Sequence, residues 1–160
     1  MKPDESLREH LVQLLDWKDA HASFDASVEG VAPEQRGVVP QGSVYSLWQL
    51  VEHLRLAQHD ILDFCVNPKY EEMDWPDDYW PAEPEPPSDA AWEDSLAGYR
   101  EDRNRFIALA KDTSLDLHQK IQHGTGQTYL REILLVADHN AYHIGQIVLV
   151  RRLLGSWPAT

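Results

Sequence analysis

Residues 128–155 read TYLREILLVADHNAYHIGQIVLVRRLLG and carry the strongest structural signal in the chain. Apolar side chains recur at the spacing of an α-helix along this stretch, up to Leu154. Gly155 follows where a residue with left-handed backbone commonly caps a helix, and Pro158 stands shortly after it. The stretch therefore predicts one long helix that is apolar on most of its sides.

Two histidines, His139 and His143, are four residues apart within this helix. At 3.6 residues per turn they lie on one face, one turn apart, where two imidazoles can share a transition-metal ion if a third ligand comes from elsewhere. Such a pair also occurs without a metal, as a hydrogen-bonded couple. Burying two histidines without partners would cost about 1–3 kcal/mol each, and this cost favours a metal-binding role.

Three further segments have helical spacing, at residues 6–28, 46–66 and 88–111. Ser46 and Gln49 form the S-x-x-Q pattern of a capping box at the start of the second segment, and Ser88 is an N-cap for the third. With the helix at 128–154, these segments predict an all-α, four-helix bundle that is about two-thirds helical. We expect residues 1–160 to form a single domain, and only residues 37–45 hint at a strand.

A long connection separates the second and third predicted helices. Residues 69–87 contain five prolines and four aromatic residues, so they predict an irregular crossover whose aromatic side chains pack on the helices. Twelve carboxylates and a single basic residue lie between Glu71 and Asp102. The default interpretation of this acidity is a solvated face, and the alternative is a mouth that attracts cations.

Charge and cysteine content exclude several functions. The chain has 14 basic and 27 acidic residues, a formal net charge of −13, which argues against binding to nucleic acid or to an anionic membrane. The first residues do not resemble a signal peptide, and we expect no apolar run to be long enough to span a bilayer. The single cysteine, Cys65, excludes an internal disulfide and a cysteine-rich zinc site. We expect a cytoplasmic protein.

A third metal ligand has to face the interior of the bundle. His53 lies close to the apolar stripe of the second helix, whereas His59 is about 240° further round that helix and cannot share its site. His123 lies in the loop before the last helix and could fold over an open site, although loop histidines usually have no such role. The other three histidines, at positions 10, 21 and 118, are expected at the surface or in loops.

Two segments resemble the metal-binding segments of the DinB-like superfamily, which includes the YfiT-like proteins proposed to be metal-dependent hydrolases. They are LWQLVEH at residues 47–53 and HNAYHIGQ at residues 139–146, and the resemblance extends over nearly the whole chain. It implies a bundle of up-down-down-up topology, a homodimer, and a divalent metal ion bound by His53, His139 and His143. Zinc or nickel is favoured, and iron and manganese also accept imidazole ligands.

Two classes of function follow from this resemblance. One is a metal-dependent enzyme acting on a small molecule, either a thiol-dependent S-transferase that activates a low-molecular-weight thiol, or a hydrolase or detoxifying enzyme. The other is a non-catalytic protein that sequesters a metal or a small ligand. The sequence shows no nucleophile–base pair of its own. Glu52, Asp60, Asp138 and Gln146 are candidates for hydrogen bonds to the ligand imidazoles.

Overall fold

Five α-helices form the framework of residues 3–158, which are the residues that the computed structural model describes. They are α1 (Pro3–Leu15), α2 (Phe24–Val28), α3 (Leu47–Val66), α4 (Asp89–Lys111) and α5 (Tyr129–Leu153). Short 3-10 helices occupy Pro33–Gln35 and Asp77–Tyr79. The described residues contain no strand, only an isolated bridge between Lys120 and Thr128. The prediction of an all-α fold is confirmed, and the hint of a strand at 37–45 was wrong.

The three long helices begin and end close to their predicted positions because local signals define them. Ser46 and Gln49 form both bonds of the capping box of α3, and the side chains of Ser88 and Thr128 cap α4 and α5. Gly155 adopts a φ of +70° just after α5, in the left-handed region that favours glycine.

The first predicted helix, at residues 6–28, was wrong in its length. Helix α1 ends at Leu15, and a separate short helix, α2, begins after Ser23, whose side chain accepts a hydrogen bond from the Ala26 amide. The break brings Asp16 and Asp25 to the same guanidinium group of Arg103, at 3.0 and 3.1 Å. Tertiary ion pairs with Arg103 therefore compete with continuation of the first helix. As a result, the α-helices cover just over half of the described residues, less than the predicted two-thirds.

Helices α3 and α5 pack against each other, and α3 also packs along α4. One buried cluster joins the first halves of α3 and α4 to the second half of α5, with Leu50, Trp92 and Ile147 among its members. A second cluster joins α1 and the other halves of the same helices, with Leu11, Phe106 and Ile133 among its members. This packing places the histidine-bearing faces of α3 and α5 opposite each other.

Residues 67–87 form the crossover, which lies against the helices through some of its aromatic side chains. Tyr79 and Trp80 contact α3, and Ser46 donates a hydrogen bond of 2.6 Å to the Pro84 carbonyl. Gly37 lies so close to Glu85 that a Cβ atom at residue 37 would collide with it. Trp75 is the exception, because 71 % of its surface is exposed. The acidic side chains of the crossover are exposed, as expected, whereas Asp102, at the end of the acidic stretch, is buried.

Helix α5 has the length and composition of a membrane span, so the expectation that no apolar run reaches this length was too strong. Half of its most apolar stretch is buried against the other helices. A buried core helix of a bundle meets the same criteria, because it must be apolar on most sides.

Replacing Ser46 by Ala should destabilise the fold more than replacing Ser88 by Ala. Both changes remove an N-cap, at a cost of about 1 kcal/mol each. Ser46→Ala also removes the donor to the Pro84 carbonyl and should cost about 1 kcal/mol more. Urea unfolding followed by circular dichroism measures the difference, and equal losses would show that Ser46 does not anchor the crossover.

Candidate metal centre

His53 from α3 and His139 and His143 from α5 meet between the two helices and form the histidine cluster. The Nε2 atom of His53 lies 3.1 Å from Nε2 of His139 and 3.2 Å from Nε2 of His143. His53 and His143 are buried, and His139 is partly buried. Three ligand atoms, one from each ring, lie within 4.8 Å of one another, as one metal ion requires.

The spacing of the nitrogens suits a metal ion. At a nitrogen–zinc distance of about 2.1 Å, two ligand nitrogens are about 3.4 Å apart at the tetrahedral angle and about 3.0 Å apart at a right angle. The distances from the Nε2 atom of His53, 3.1 and 3.2 Å, lie between these limits. The cluster is therefore compatible with a divalent metal site; that His53, His139 and His143 bind a metal stays a prediction.

A backbone carbonyl determines the tautomer of His53. Its Nδ1 atom lies 2.9 Å from the carbonyl oxygen of Tyr79, which can only accept a hydrogen bond. Nδ1 must therefore carry the proton, and Nε2 directs a bare lone pair into the cluster. Burial lowers the pKa of His53 to about 4, so its ring is neutral at pH 7.

His143 is oriented in the same manner by Gln146, whose Oε1 atom lies 2.6 Å from Nδ1. Donation from Nδ1 again leaves a bare lone pair on Nε2, and burial lowers the pKa of His143 to about 4. Two lone pairs, on His53 and His143, thus face each other at 3.2 Å. A proton on His139 Nε2 can be donated to His53, but it leaves the repulsion between the lone pairs of His53 and His143. A cation placed between the three nitrogen atoms would remove the repulsion in both contacts of His53.

His139 lacks the outer partner that the other two rings have. Its Nδ1 atom is buried without a hydrogen bond of good geometry, as is Oδ1 of the adjacent Asn140. Asn140 donates instead to Gln58 at 2.9 Å, and Gln58 donates to the Tyr99 carbonyl at 2.7 Å. Burial lowers the pKa of His139 too. These hydrogen bonds join α5, α3 and α4, starting from the residue next to His139 in the chain.

The crossover closes one side of the cluster. Trp80 stacks on His53 with ring centroids 3.7 Å apart and an interplanar angle of 5°. The ring of Tyr45 stacks on Trp80 as well, with centroids 4.0 Å apart. The Gln49 side chain donates to the Pro81 carbonyl at 3.1 Å. These contacts shield His53 from water along one face of its ring.

Asp60 on α3 binds the crossover through the phenol groups of two tyrosines. It accepts hydrogen bonds from Tyr70 at 2.9 Å and from Tyr79 at 2.7 Å. Burial and the bond to Asp60 raise the pKa of both tyrosines, so both phenols keep their protons and remain donors. Because the Tyr79 carbonyl binds His53, Asp60 positions the His53 ring through Tyr79.

The other side of the cluster opens into a pocket of about 440 Å³. We call it the cluster pocket. Its lining combines the three histidines with a mostly apolar and aromatic wall, formed by Tyr45, Ala57, Ile61, Trp75, Tyr79, Trp80, Leu135, Tyr142 and Gln146. A ligand in this pocket can reach the point at which the imidazole nitrogens converge.

The remaining histidines lie elsewhere. His59 is exposed and pairs with Asp102 at 2.8 Å, and His10, His21 and His118 are exposed. The loop residue His123 does not join the cluster, because its Nε2 atom donates to the Phe64 carbonyl. It lines a neighbouring pocket instead.

Of the four proposed outer partners, Gln146 alone contacts a cluster imidazole. Glu52 pairs with Arg55, Asp138 is exposed, and Asp60 acts only through Tyr79. The Tyr79 carbonyl and Trp80 were not predicted from the sequence, since no motif identifies a backbone acceptor. The aromatic content of the crossover was the one signal that pointed to them.

Replacing Asp60 by Ala should loosen the crossover. Two partly buried phenols would lose their acceptor, at a cost of roughly 1–2 kcal/mol in free energy of unfolding. Asp63→Ala is a matched control on the same helix, since Asp63 accepts only from Asn67. Urea unfolding and the rate of proteolysis within residues 67–87 measure the effect. Equal results for the two variants would contradict the positioning role.

A family model described as the DinB superfamily matches residues 16–147, which is most of the chain and includes all three histidines of the cluster. No curated protein matches the chain, and no solved structure does. The family match agrees with the all-α fold and with the resemblance of the segments that carry His53, His139 and His143. The chain belongs to the DinB superfamily.

Proposed function

We propose that His53, His139 and His143 bind one divalent metal ion and that the protein uses it on a small molecule in the cluster pocket. The observation that carries this proposal is the pair of bare imidazole lone pairs, on His53 and His143, held 3.2 Å apart by outer hydrogen bonds. Such an arrangement is unfavourable in a metal-free core and favourable around a cation.

Three neutral imidazoles leave further coordination positions free, in contrast to a structural zinc site, which has four protein ligands. A divalent ion held there would supply Lewis acidity and would lower the pKa of a coordinating water or thiol. Zinc or nickel suits this set of nitrogen ligands best, and iron and manganese are the other candidates.

The residues around the pocket favour a co-substrate that brings its own nucleophile. Cys65 is buried outside the pocket, and burial raises the pKa of its thiol to about 12, so it is not an attacking group. Asp60 already accepts from two phenols. We therefore propose transfer to a low-molecular-weight thiol, or a hydrolytic or detoxifying reaction, with the metal activating the nucleophile.

No carboxylate among the described residues lines the pocket as a general base. This absence supports the second candidate, a protein that sequesters a metal or a small ligand without catalysis. Turnover of any thiol–electrophile pair by the metal-loaded protein would favour the enzyme. Tight binding without turnover over a broad panel of such pairs would favour sequestration.

The up-down-down-up order of the long helices is part of the proposal. The shared cluster of the first halves of α3 and α4 supports parallel packing of these helices, with α5 antiparallel to both. A long crossover is the connection that parallel neighbours require. A cytoplasmic location, and the absence of nucleic-acid and membrane partners, likewise remain proposals that rest on charge and cysteine content.

Metal binding should depend on His143 and not on His59. Removing an outer hydrogen-bond partner of a ligand costs 10–100-fold in affinity, so removing a ligand in His143→Ala should cost at least about 100-fold. His59→Ala should retain native affinity, because His59 points to Asp102. Isothermal titration of zinc and nickel into the metal-free proteins decides this, and the reverse pattern would show the ligand assignment to be wrong.

The same titrations should show weaker binding below about pH 6, where protons compete for the imidazoles. Because burial lowers the pKa of His53 and His143 to about 4, both rings stay neutral just below pH 6, so the loss of affinity should be small at first and become steep as the pH falls through about 4.

The protein should also be a homodimer, a proposal that rests chiefly on the family resemblance. Apolar side chains along the outer face of α5, such as Leu149 and Leu153, are about half exposed and offer a surface for a second copy. Light scattering at micromolar concentration should give twice the chain mass of 18.4 kDa. A monomer under these conditions would refute it.

A further inference from the structure

We propose that the cluster pocket binds a flat aromatic molecule that presents one metal-binding group and carries no other negative charge. This inference rests on the proposed function, because the cluster would hold the metal that the group binds. It specifies the class of small molecule, which neither the family match nor the histidine geometry does.

The shape and lining of the pocket support an aromatic ligand. Its volume of about 440 Å³ is in the range of small-molecule sites, and aromatic rings line it on several sides. The outer aromatic residues are Tyr45, Trp75, Trp80 and Tyr142, all placed around the cluster. A ring bound among them would gain offset or edge-to-face contacts that an aliphatic chain cannot make.

Two of these residues are poorly covered by the protein itself. Trp75 and Tyr142 are 71 % and 65 % exposed, and every other described phenylalanine, tyrosine and tryptophan is buried or partly buried. The ring of Trp75 lies 5.2 Å from the ring of Tyr79, measured between centroids. Both side chains line the same pocket, so a ligand that enters it can cover both of them.

The charges around the pocket argue against a polyanionic ligand. No lysine or arginine lines the cluster pocket. Glu71, Glu72, Asp74, Asp77 and Asp78 precede or follow Trp75 closely and are all exposed. Arg131 lines the neighbouring pocket instead, and it is paired with Glu132 at 2.7 Å. This field repels added carboxylates or phosphates, and it favours a neutral or cationic ring.

The same charges disfavour a second copy of the chain as the occupant. Two copies joined through Trp75 would bring their two acidic crossovers together, and like charges in contact are destabilising. A small ligand covers the exposed rings without this penalty.

Zinc-loaded full-length protein provides the test, with three hydroxamates as probes. Benzohydroxamate carries the ring, acetohydroxamate carries the same metal-binding group without it, and 3,5-dicarboxybenzohydroxamate adds two negative charges. We expect benzohydroxamate to bind about tenfold more tightly than either of the others, by titration calorimetry and by the change in tryptophan fluorescence. The loss of affinity caused by the two added carboxylates should become smaller as salt is added, because salt screens the repulsion.

Variants at the rim separate the ring contact from metal binding. Trp75→Ala and Tyr142→Ala should each weaken benzohydroxamate by about fivefold or more and leave acetohydroxamate unchanged. Leu134→Ala is the control, because Leu134 is exposed on α5 and does not line the pocket. Asp77→Lys should reduce the difference in affinity between benzohydroxamate and its dicarboxylate. Asp77→Asn should reduce it less, because it changes the local charge by one unit instead of two.

The outcomes distinguish this proposal from the proposed function. Equal affinity for benzohydroxamate and acetohydroxamate, or no effect of Trp75→Ala, in protein that binds zinc would overturn the aromatic ligand and leave the metal site standing. Failure to bind zinc at all would overturn both, and the zinc titration alone reveals it. Conversion of a dimer into a monomer by Trp75→Ala and Tyr142→Ala would identify the rim as a contact between copies, against the proposal.

Discussion

The hydrogen bond from His53 Nδ1 to the Tyr79 carbonyl joins the packed α-helices to the crossover between α3 and α4. It fixes which nitrogen of His53 faces the interior. It also places Trp80, the next residue, flat against the same imidazole at 3.7 Å. Asp60 reinforces this bond from the other end, since it holds the phenol of Tyr79. The position of His53 thus depends on the crossover being in place.

The fixed tautomers of His53 and His143 are unfavourable without a metal ion, and this cost supports the proposed metal site. With the outer nitrogens of His53 and His143 donating, their inner lone pairs face each other in a buried space. A fold selected only for stability would put apolar side chains here, because buried polar groups without partners are unfavourable. Desolvation also keeps both rings neutral at pH 7, which is the state that a metal ligand requires.

The regular parts of the fold were predictable because their signals are local. The caps at Ser46, Ser88 and Thr128 and the helical spacing behind them set the limits of α3, α4 and α5 within a residue or two. The first helix was mispredicted because its end depends on a distant side chain. Arg103 on α4 draws Asp16 and Asp25 together, and no periodicity in residues 6–28 records that interaction.

The sequence by itself determined the helical class, the limits of the long helices and the i, i+4 histidine pair, since all of these arise from neighbours within one or two turns. His53 could be named from its place on a helical stripe and from the family resemblance. Only the tertiary structure decided how the site is completed: the bond from His53 to the Tyr79 carbonyl, the stack of Trp80 on His53 and the bond from Tyr79 to Asp60 join residues that are 19 to 27 positions apart in the chain. Their partners are chosen by how the crossover lies on α3, and that depends on packing of the whole bundle and not on any local pattern.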